Sequence, residues 1–269
     1  MIERQYFAAE LVPDVIVLAH AAAQQILIIY ETEFTIEHKD DQSPLTDADL
    51  AAHDIIVAGL SKLTPEIPVL SEESGEIPFE VRATWSRYWL VDPLDGTREF
   101  IKRNGEFTVN IALIESGEPV LGVIVVPLSG LAYSAVRGGG AFKQAVDGEP
   151  SPIRTRMFED DSVVVASSRS YGSEALQGFL ARLGQYRHVP LGSSLKSCMV
   201  AEGLADIYPR FGLTSEWDTA AAQCIVEQAG GLLLDLTLQP LRYNTKASLL
   251  NPPFIVVGDG SHDWASLLV

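Results

Sequence analysis

Residues 89–100 read WLVDPLDGTREF, and the fold and the chemistry of this chain are decided there. An apolar, strand-like run over 88–91 ends in two carboxylates three residues apart, Asp92 and Asp95, with Pro93 between them and Gly96-Thr97 directly after. Hard divalent cations bind oxygen, and this corner is rich in it. Pro93 fixes its own φ, Gly96 permits a tight backbone path, and the amides after Asp95 can face an anion if a helical turn begins there. One short segment can therefore hold both metal and phosphate, although Asp, Pro and Gly are also ordinary turn formers.

The 269 residues, 47% of them hydrophobic, suffice for one large domain or two closely packed smaller ones. A formal net charge of -17 argues against nucleic acid or an anionic membrane as partner, because the long-range field repels both. A small phosphate ester remains a suitable ligand where metal ions or local Lys and Arg reverse that field. The N-terminus carries early charges and no small-residue cleavage site after an apolar run, so no signal peptide is expected. No transmembrane segment is expected either, the apolar run 26–30 being too short. Two cysteines, Cys198 and Cys224, make neither a disulfide framework nor a zinc site, and the expected location is the cytoplasm. The five histidines have no metal-binding spacing, and Gly138-Gly139-Gly140 reads as a hairpin turn.

Around the opening segment, apolar spacing predicts helices over 12–31, with Pro13 in a first turn, and 47–63, with Asp47 near the cap. Both are expected to pack on one sheet. Strands are predicted at 69–70, 88–91, 108–114, 120–126 and within 131–145. A polar, acidic, Pro-containing stretch over 147–161 marks the expected boundary between residues 1–150 and 151–269. Beyond it the pattern gives a strand at 163–166, helices over 173–183, 194–202 and 219–229, and strands at 232–236 and 254–257. This alternation predicts an α/β protein with helices covering sheet faces in both halves.

Three further groups of acids stand out. Glu72 and Glu73 follow an apolar strand, as Asp92 does, and two strand ends of one sheet can face the same cleft. Asp218, in Glu216-Trp217-Asp218-Thr219-Ala220-Ala221, precedes a small-residue helix and on its own reads as a cap. Thr46-Asp47-Ala48-Asp49 reads as another helix start, where acids are favoured without catalysis.

Together, Glu72-Glu73, the Asp92 to Thr97 segment and Trp217-Asp218-Thr219-Ala220-Ala221, in this order, resemble the inositol monophosphatase superfamily of magnesium-dependent, lithium-sensitive phosphatases, over nearly the whole chain. Within it the likeness is nearer to the 3'(2'),5'-bisphosphate nucleotidases of the CysQ type, carried by KDDQSPLTDAD at 39–49, GSSLKSC at 192–198 and AEGLADIYPRF at 201–211. The resemblance implies a layered α/β/α/β/α sandwich, with most metal ligands in the N-terminal half and substrate specificity, together with Asp218, in the C-terminal half. It implies hydrolysis of adenosine 3',5'-bisphosphate to AMP and phosphate; an inositol or other sugar monophosphatase on the same metal site is the alternative. A non-catalytic acidic protein that binds metal for stability is the reading from a different class.

The residues expected to act follow from that resemblance. Glu72, Asp92, Asp95, Asp218 and the carbonyl of Leu94 hold two or three Mg2+ ions, one acidifying a water and another clamping the leaving oxygen. Glu72 orients the water, and Thr97, with Asp49 as its proton acceptor, helps to activate it. Gly96 and Thr97 amides hold phosphate oxygens. Gly192, Ser193, Ser194, Lys196 and Arg210 contact the nucleotide, although taken alone Lys196 and Arg210 read as solvated surface charges. Lys39, Asp47 and Glu73 are expected to support the site or a weaker third ion. Oligomeric state, and a peripheral position on the inner face of the cell membrane, stay open.

Overall fold

A computed structural model describes residues 2–38, 44–159, 163–169 and 174–268. In chain order the elements are α1 (Ile2–Tyr30), β1 (Ile36–His38), β2 (Pro44–Thr46), α2 (Asp47–Leu63), β3 (Val69–Ser71), α3 (Phe79–Arg82), β4 (Arg87–Asp95), α4 (Thr97–Ile101), β5 (Thr108–Glu115), β6 (Glu118–Val126), β7 (Leu131–Val136), β8 (Gly140–Gln144), β9 (Ser151–Ile153), β10 (Val164–Ser167), α5 (Glu174–Leu183), β11 (Arg187–Pro190), α6 (Leu195–Ala201), β12 (Ile207–Arg210), α7 (Glu216–Ala229), β13 (Leu232–Asp235) and β14 (Phe254–Val257), followed by a 3-10 turn at Trp264–Leu267. Among the described residues the larger sheet runs in order from β3 to β9, a second is ordered β11-β10-β12-β14-β13, and β1 and β2 form a small pair of their own.

Strand alternation shows how these stack. Trp89, Val91, Val109, Ile111, Leu121 and Val123 lie in a core shared with Val15, Ala19, Ala22, Ile26, Ala52 and Ile56 of α1 and α2. Their neighbours Tyr88, Leu90, Ala112 and Ile124 face the other way, onto Val200, Ala220, Cys224 and Ile225 of α6 and α7 and onward to Val164, Ala166 and Val256 of the second sheet. The far face of that sheet, Val165, Ile207, Ile255 and Val257, packs on Phe179 and Leu180 of α5 and on Trp264. The result is the expected α/β/α/β/α stack, both sheets being apolar on two faces because both are covered twice. The middle layer is tight: a Cβ at Gly122 of β6 would lie 2.4 Å from the Ala221 carbonyl oxygen, so only glycine lets α7 approach the sheet.

Two expectations about the first helix need correction. It begins near residue 2 rather than 12, so Pro13 is interior; the ring is tolerated because that side of the helix, with Ala9 and Pro13 both exposed, faces water, where an orphaned carbonyl can be hydrated. Second, Phe7–Tyr30 is 24 residues long with a mean hydropathy of 1.7, enough by length and composition to cross a membrane, contrary to the expectation. Here its inner face packs on α2 and the first sheet. The predicted turn at Gly138-Gly139-Gly140 does join two hairpin strands, β7 and β8.

Candidate active site

A spacing of three along a strand normally sends two side chains to opposite faces. Asp92 and Asp95 escape this because β4 carries a bulge: Asp92 pairs with Asn110 and Asp95 with Thr108, so three steps on β4 face two on β5. Leu94 turns into the α1/α2 core in consequence, and both acids emerge on the other face. Pro93 sits inside the bulge, where its missing N–H breaks no ladder bond. The Leu94 amide donates to Asp92 Oδ1 at 3.1 Å. Strand β3 runs parallel to β4 with Ser71 opposite Val91, which brings Glu72 level with Asp92, and the Glu72 amide donates to the Val91 carbonyl at 3.0 Å.

Asp218 arrives from the other half. It stands in the first turn of α7 rather than ahead of the helix, and accepts the Ser215 amide at 2.9 Å. One carboxylate oxygen each from Asp92, Asp95 and Asp218 lie within 4.8 Å of one another. Removal from water, then repulsion by Glu72, Asp95 and Asp218, raises the Asp92 carboxyl well above its usual range. Burial followed by Asp95 and Glu72 pushes Asp218 up to about 8. Burial also raises Asp95, against the pull of Lys196 and of bonds from Asn110 and Ser194. Converging hard oxygen donors whose ionised form lacks compensating charge fit a hard divalent cation.

Thr46 caps α2, and Asp49, three residues on, takes the Thr46 amide (2.8 Å) and hydroxyl (2.6 Å) on Oδ2. Its other oxygen, Oδ1, lies 3.2 Å from the Thr97 hydroxyl, itself 3.3 Å from the Leu94 carbonyl oxygen. The expected Thr97–Asp49 contact is therefore present. Gly96 has φ of 96°, and a Cβ there would meet the Glu106 carbonyl at 3.1 Å and Ser193 at 3.3 Å. Its glycine allows the chain to turn from Asp95 straight into α4.

Glu72, Asp92, Leu94, Asp95, Gly96, Thr97 and Asp218 line a cleft of about 450 Å3, together with Gly192, Ser193, Ser194, Lys196, Arg210 and Leu213 from the C-terminal half, while Asp49 stands behind Thr97. Lys196 is no surface charge: it is 4% exposed, donates to the Ser193 (2.6 Å) and Leu191 (3.4 Å) carbonyls and lies over the Tyr208 ring. Burial lowers its pKa to about 8, opposed by Asp95. Ser194 is buried too, its amide 2.6 Å from Asp95 Oδ2 and its hydroxyl bonded to Asn110 and Thr108. Arg210 reaches the Ser168 hydroxyl at 3.2 Å and the Leu213 carbonyl at 2.9 Å, while its Nε is buried without a partner. Of the expected supporting residues, Asp47 accepts the Thr35 amide at 3.2 Å, Glu73 does not line the cleft, and Lys39 lies outside the described residues. Thr108 and Asn110 were not anticipated; two polar residues alternating at the head of the apolar run TVNIALI are the signal that could have found them.

The sequence profile of the inositol monophosphatase family matches residues 10–260. The 3'(2'),5'-bisphosphate nucleotidase CysQ of Salmonella typhimurium is 50% identical over 241 residues, 89% of this chain and 96% of the relative, and that of Escherichia coli K12 is 48% identical over the same lengths. The crystal structure of CysQ from Bacteroides thetaiotaomicron superposes with a TM-score of 0.82 at 42% identity, covering 94% of this chain and 98% of that one. A Thermotoga maritima inositol monophosphatase gives 0.78 at 25% identity, covering 94% of each. With profile, sequence and fold in agreement, this chain belongs to the inositol monophosphatase family.

Proposed function

We propose that the chain is a magnesium-dependent 3'(2'),5'-bisphosphate nucleotidase that hydrolyses adenosine 3',5'-bisphosphate to AMP and phosphate by direct attack of water. The observation that carries this is the convergence of Asp92, Asp95 and Asp218 beside the Thr97–Asp49 pair, in a chain about half identical to relatives bearing that name.

Asp92, Asp95, Asp218, Glu72 and the Leu94 carbonyl would hold two or three Mg2+ ions. Bound there, magnesium would supply positive charge against the phosphate oxygens and lower the pKa of a water. Glu72 orients the attacking water. Thr97 gives its hydroxyl hydrogen to Asp49, which leaves its oxygen lone pair to accept a hydrogen from that water. Gly96 and Thr97 amides hold the phosphate while the new P–O bond forms in line with the breaking one, and the ribose 3'-oxygen leaves as it takes a proton from solvent water in the open cleft, so that the attacking water's hydroxyl ends on phosphorus and one proton on the ribose. Arg210, with the turn at Gly192-Ser193, faces the nucleotide and its uncleaved phosphate; Lys196 serves from behind, tying that turn in place. Residues 1–150 supply most of the metal ligands and residues 151–269 the specificity. Lithium inhibits in competition with magnesium, since a monovalent ion supplies less charge to the same oxygens. The free thiols of Cys198 and Cys224 suit a reducing, cytoplasmic compartment.

The test is phosphate release from adenosine 3',5'-bisphosphate, inositol 1-phosphate and fructose 1,6-bisphosphate, with and without magnesium. Preference for the bisphosphate nucleotide is the expected result. Preference for a sugar phosphate would give the sugar monophosphatase reading, and a metal-dependent thermal shift with no release of phosphate would leave only a metal-binding protein.

A further inference from the structure

Another carboxylate, Glu106, stands directly behind the cleft wall in a chain that must admit a highly charged anion. Its side chain is only 13% exposed. Oε2 accepts the Gly192 amide at 2.9 Å and Arg169 Nε at 3.1 Å, while Oε1 takes Arg169 Nη2, so one carboxylate holds a backbone turn and a two-pronged guanidinium at once. The backbone is pressed against it: a Cβ at Gly192 would lie 2.6 Å from the Glu106 carbonyl oxygen.

Each of these bonds leads to a different part of the site. Gly192 begins the turn in which Ser193 has a left-handed φ of 45°, a conformation that needs outside support in a non-glycine residue. That turn aims the Ser194 amide at Asp95 and supplies the Ser193 carbonyl to Lys196. Arg169 follows Ser168, whose hydroxyl accepts from Arg210. Glu106 thus stands at the fork of two short chains of contact, one ending on a metal-binding carboxylate and the other on the cation facing the nucleotide. Glu106 comes from the loop before β5 and both its partners from beyond β10, so the fork also fastens the two halves of the cleft to each other.

We propose that Glu106, paired with Arg169, is a positioning residue for this reaction: its Gly192 bond sets the turn that steadies Asp95, and its Arg169 bond sets Ser168 and hence Arg210. The second arm rests on the nucleotidase reading; the first needs only the metal cluster. Arg169 also cancels a negative charge near the path of an anionic substrate.

The two arms separate by substitution. In Glu106→Gln the amide oxygen can still accept the Gly192 amide, but the charged partner of Arg169 is gone. KM for adenosine 3',5'-bisphosphate should rise roughly tenfold with kcat nearly unchanged, while the magnesium concentration giving half the maximal thermal shift stays within about twofold. Arg169→Ala, at a side chain 50% exposed, should raise KM at least as much, and adding Glu106→Gln to it should bring KM down or leave it unchanged, because the stranded carboxylate is then neutral. Glu106→Ala should raise both KM and the half-saturating magnesium concentration. Independent, multiplying losses in the double variant, or an unchanged KM in both single variants, would overturn the Arg169 arm. A Glu106→Gln protein whose magnesium midpoint moves as far as that of Glu106→Ala would overturn the Gly192 arm. If the wild type does not hydrolyse the bisphosphate, the nucleotidase reading falls and with it the Arg169 arm, whereas the magnesium thermal shift still decides the Gly192 arm.

Discussion

The two walls of the cleft are built on opposite plans. On the side of the first sheet, Asp92, Leu94, Asp95, Gly96 and Thr97 come from six consecutive residues, and a bulge and a left-handed glycine aim them into one space. On the other side, Ser168, Ser194, Lys196, Arg210 and Asp218 come from four separate stretches of chain, the loop after β10, the start of α6, the end of β12 and the first turn of α7, each held by hydrogen bonds to groups nearby. Chemistry that must keep oxygens a fixed few ångströms apart is placed on a short, stiff segment. Recognition, which needs shape more than exact spacing, draws on several separate stretches of chain, joined to the first wall where the Ser194 amide meets Asp95.

If that division is right, the largest losses lie on the first wall and in Asp218. Asp92→Asn or Asp218→Asn should lower kcat by roughly a thousandfold or more while leaving circular dichroism unchanged, since each removes an electrostatic contribution of several kcal/mol and little packing. Full activity in either would remove that residue from the site. Thr97→Ala should cost about a hundredfold in kcat, the lower range for a proton-handling group, and Thr97→Ser should restore most of it. A serine variant as slow as the alanine one would assign Thr97 to packing.

The second wall should respond to substrate instead. Arg210→Ala is expected to lower kcat/KM for the bisphosphate by roughly 1.5 to 3 kcal/mol of transition-state binding, and to leave a substrate without the second phosphate nearly unaffected. Lys196→Met should behave differently although the two residues belong to one basic cluster: its ammonium holds the Ser193 and Leu191 carbonyls, so the melting temperature should fall and both substrates suffer alike. Loss confined to the bisphosphate in Lys196→Met would put its charge in contact with substrate.

A smaller effect sharpens the electrostatic side. Asp92, Asp95 and Asp218 are raised in the folded chain, so their contribution to stability is fully present below the unfolded carboxyl pKa and lost as pH rises through the folded value. The metal-free protein should therefore melt at a higher temperature as pH falls from about 8 toward 5, the Asp218 window, and Asp218→Asn should flatten that slope. Magnesium at pH 8 should raise the melting temperature more than at pH 5, because protons and metal compete for the same oxygens. An equal magnesium shift at both values would show that these acids do not bind it.

The sequence by itself determined the first wall, because the bulge, the glycine turn and the capped start of α2 are local devices written in residues 46–49 and 92–97. It also determined the order of most elements, since strands covered on both faces and apolar helices leave periodic or continuous apolar runs. It missed β1, β2, β9, β11 and β12, which are only three or four residues long, too short to leave an alternating or continuous apolar run, and are defined as strands by the partners they pair with. The family resemblance named Asp218 and Arg210, whose own short stretches read as a helix cap and a surface charge; tertiary structure alone decided that Lys196 is buried in the cleft wall and that Glu106 reaches Gly192. Those relations depend on how two sheets close over α6 and α7, and burial of a charge is a property of that closure rather than of any short stretch of chain.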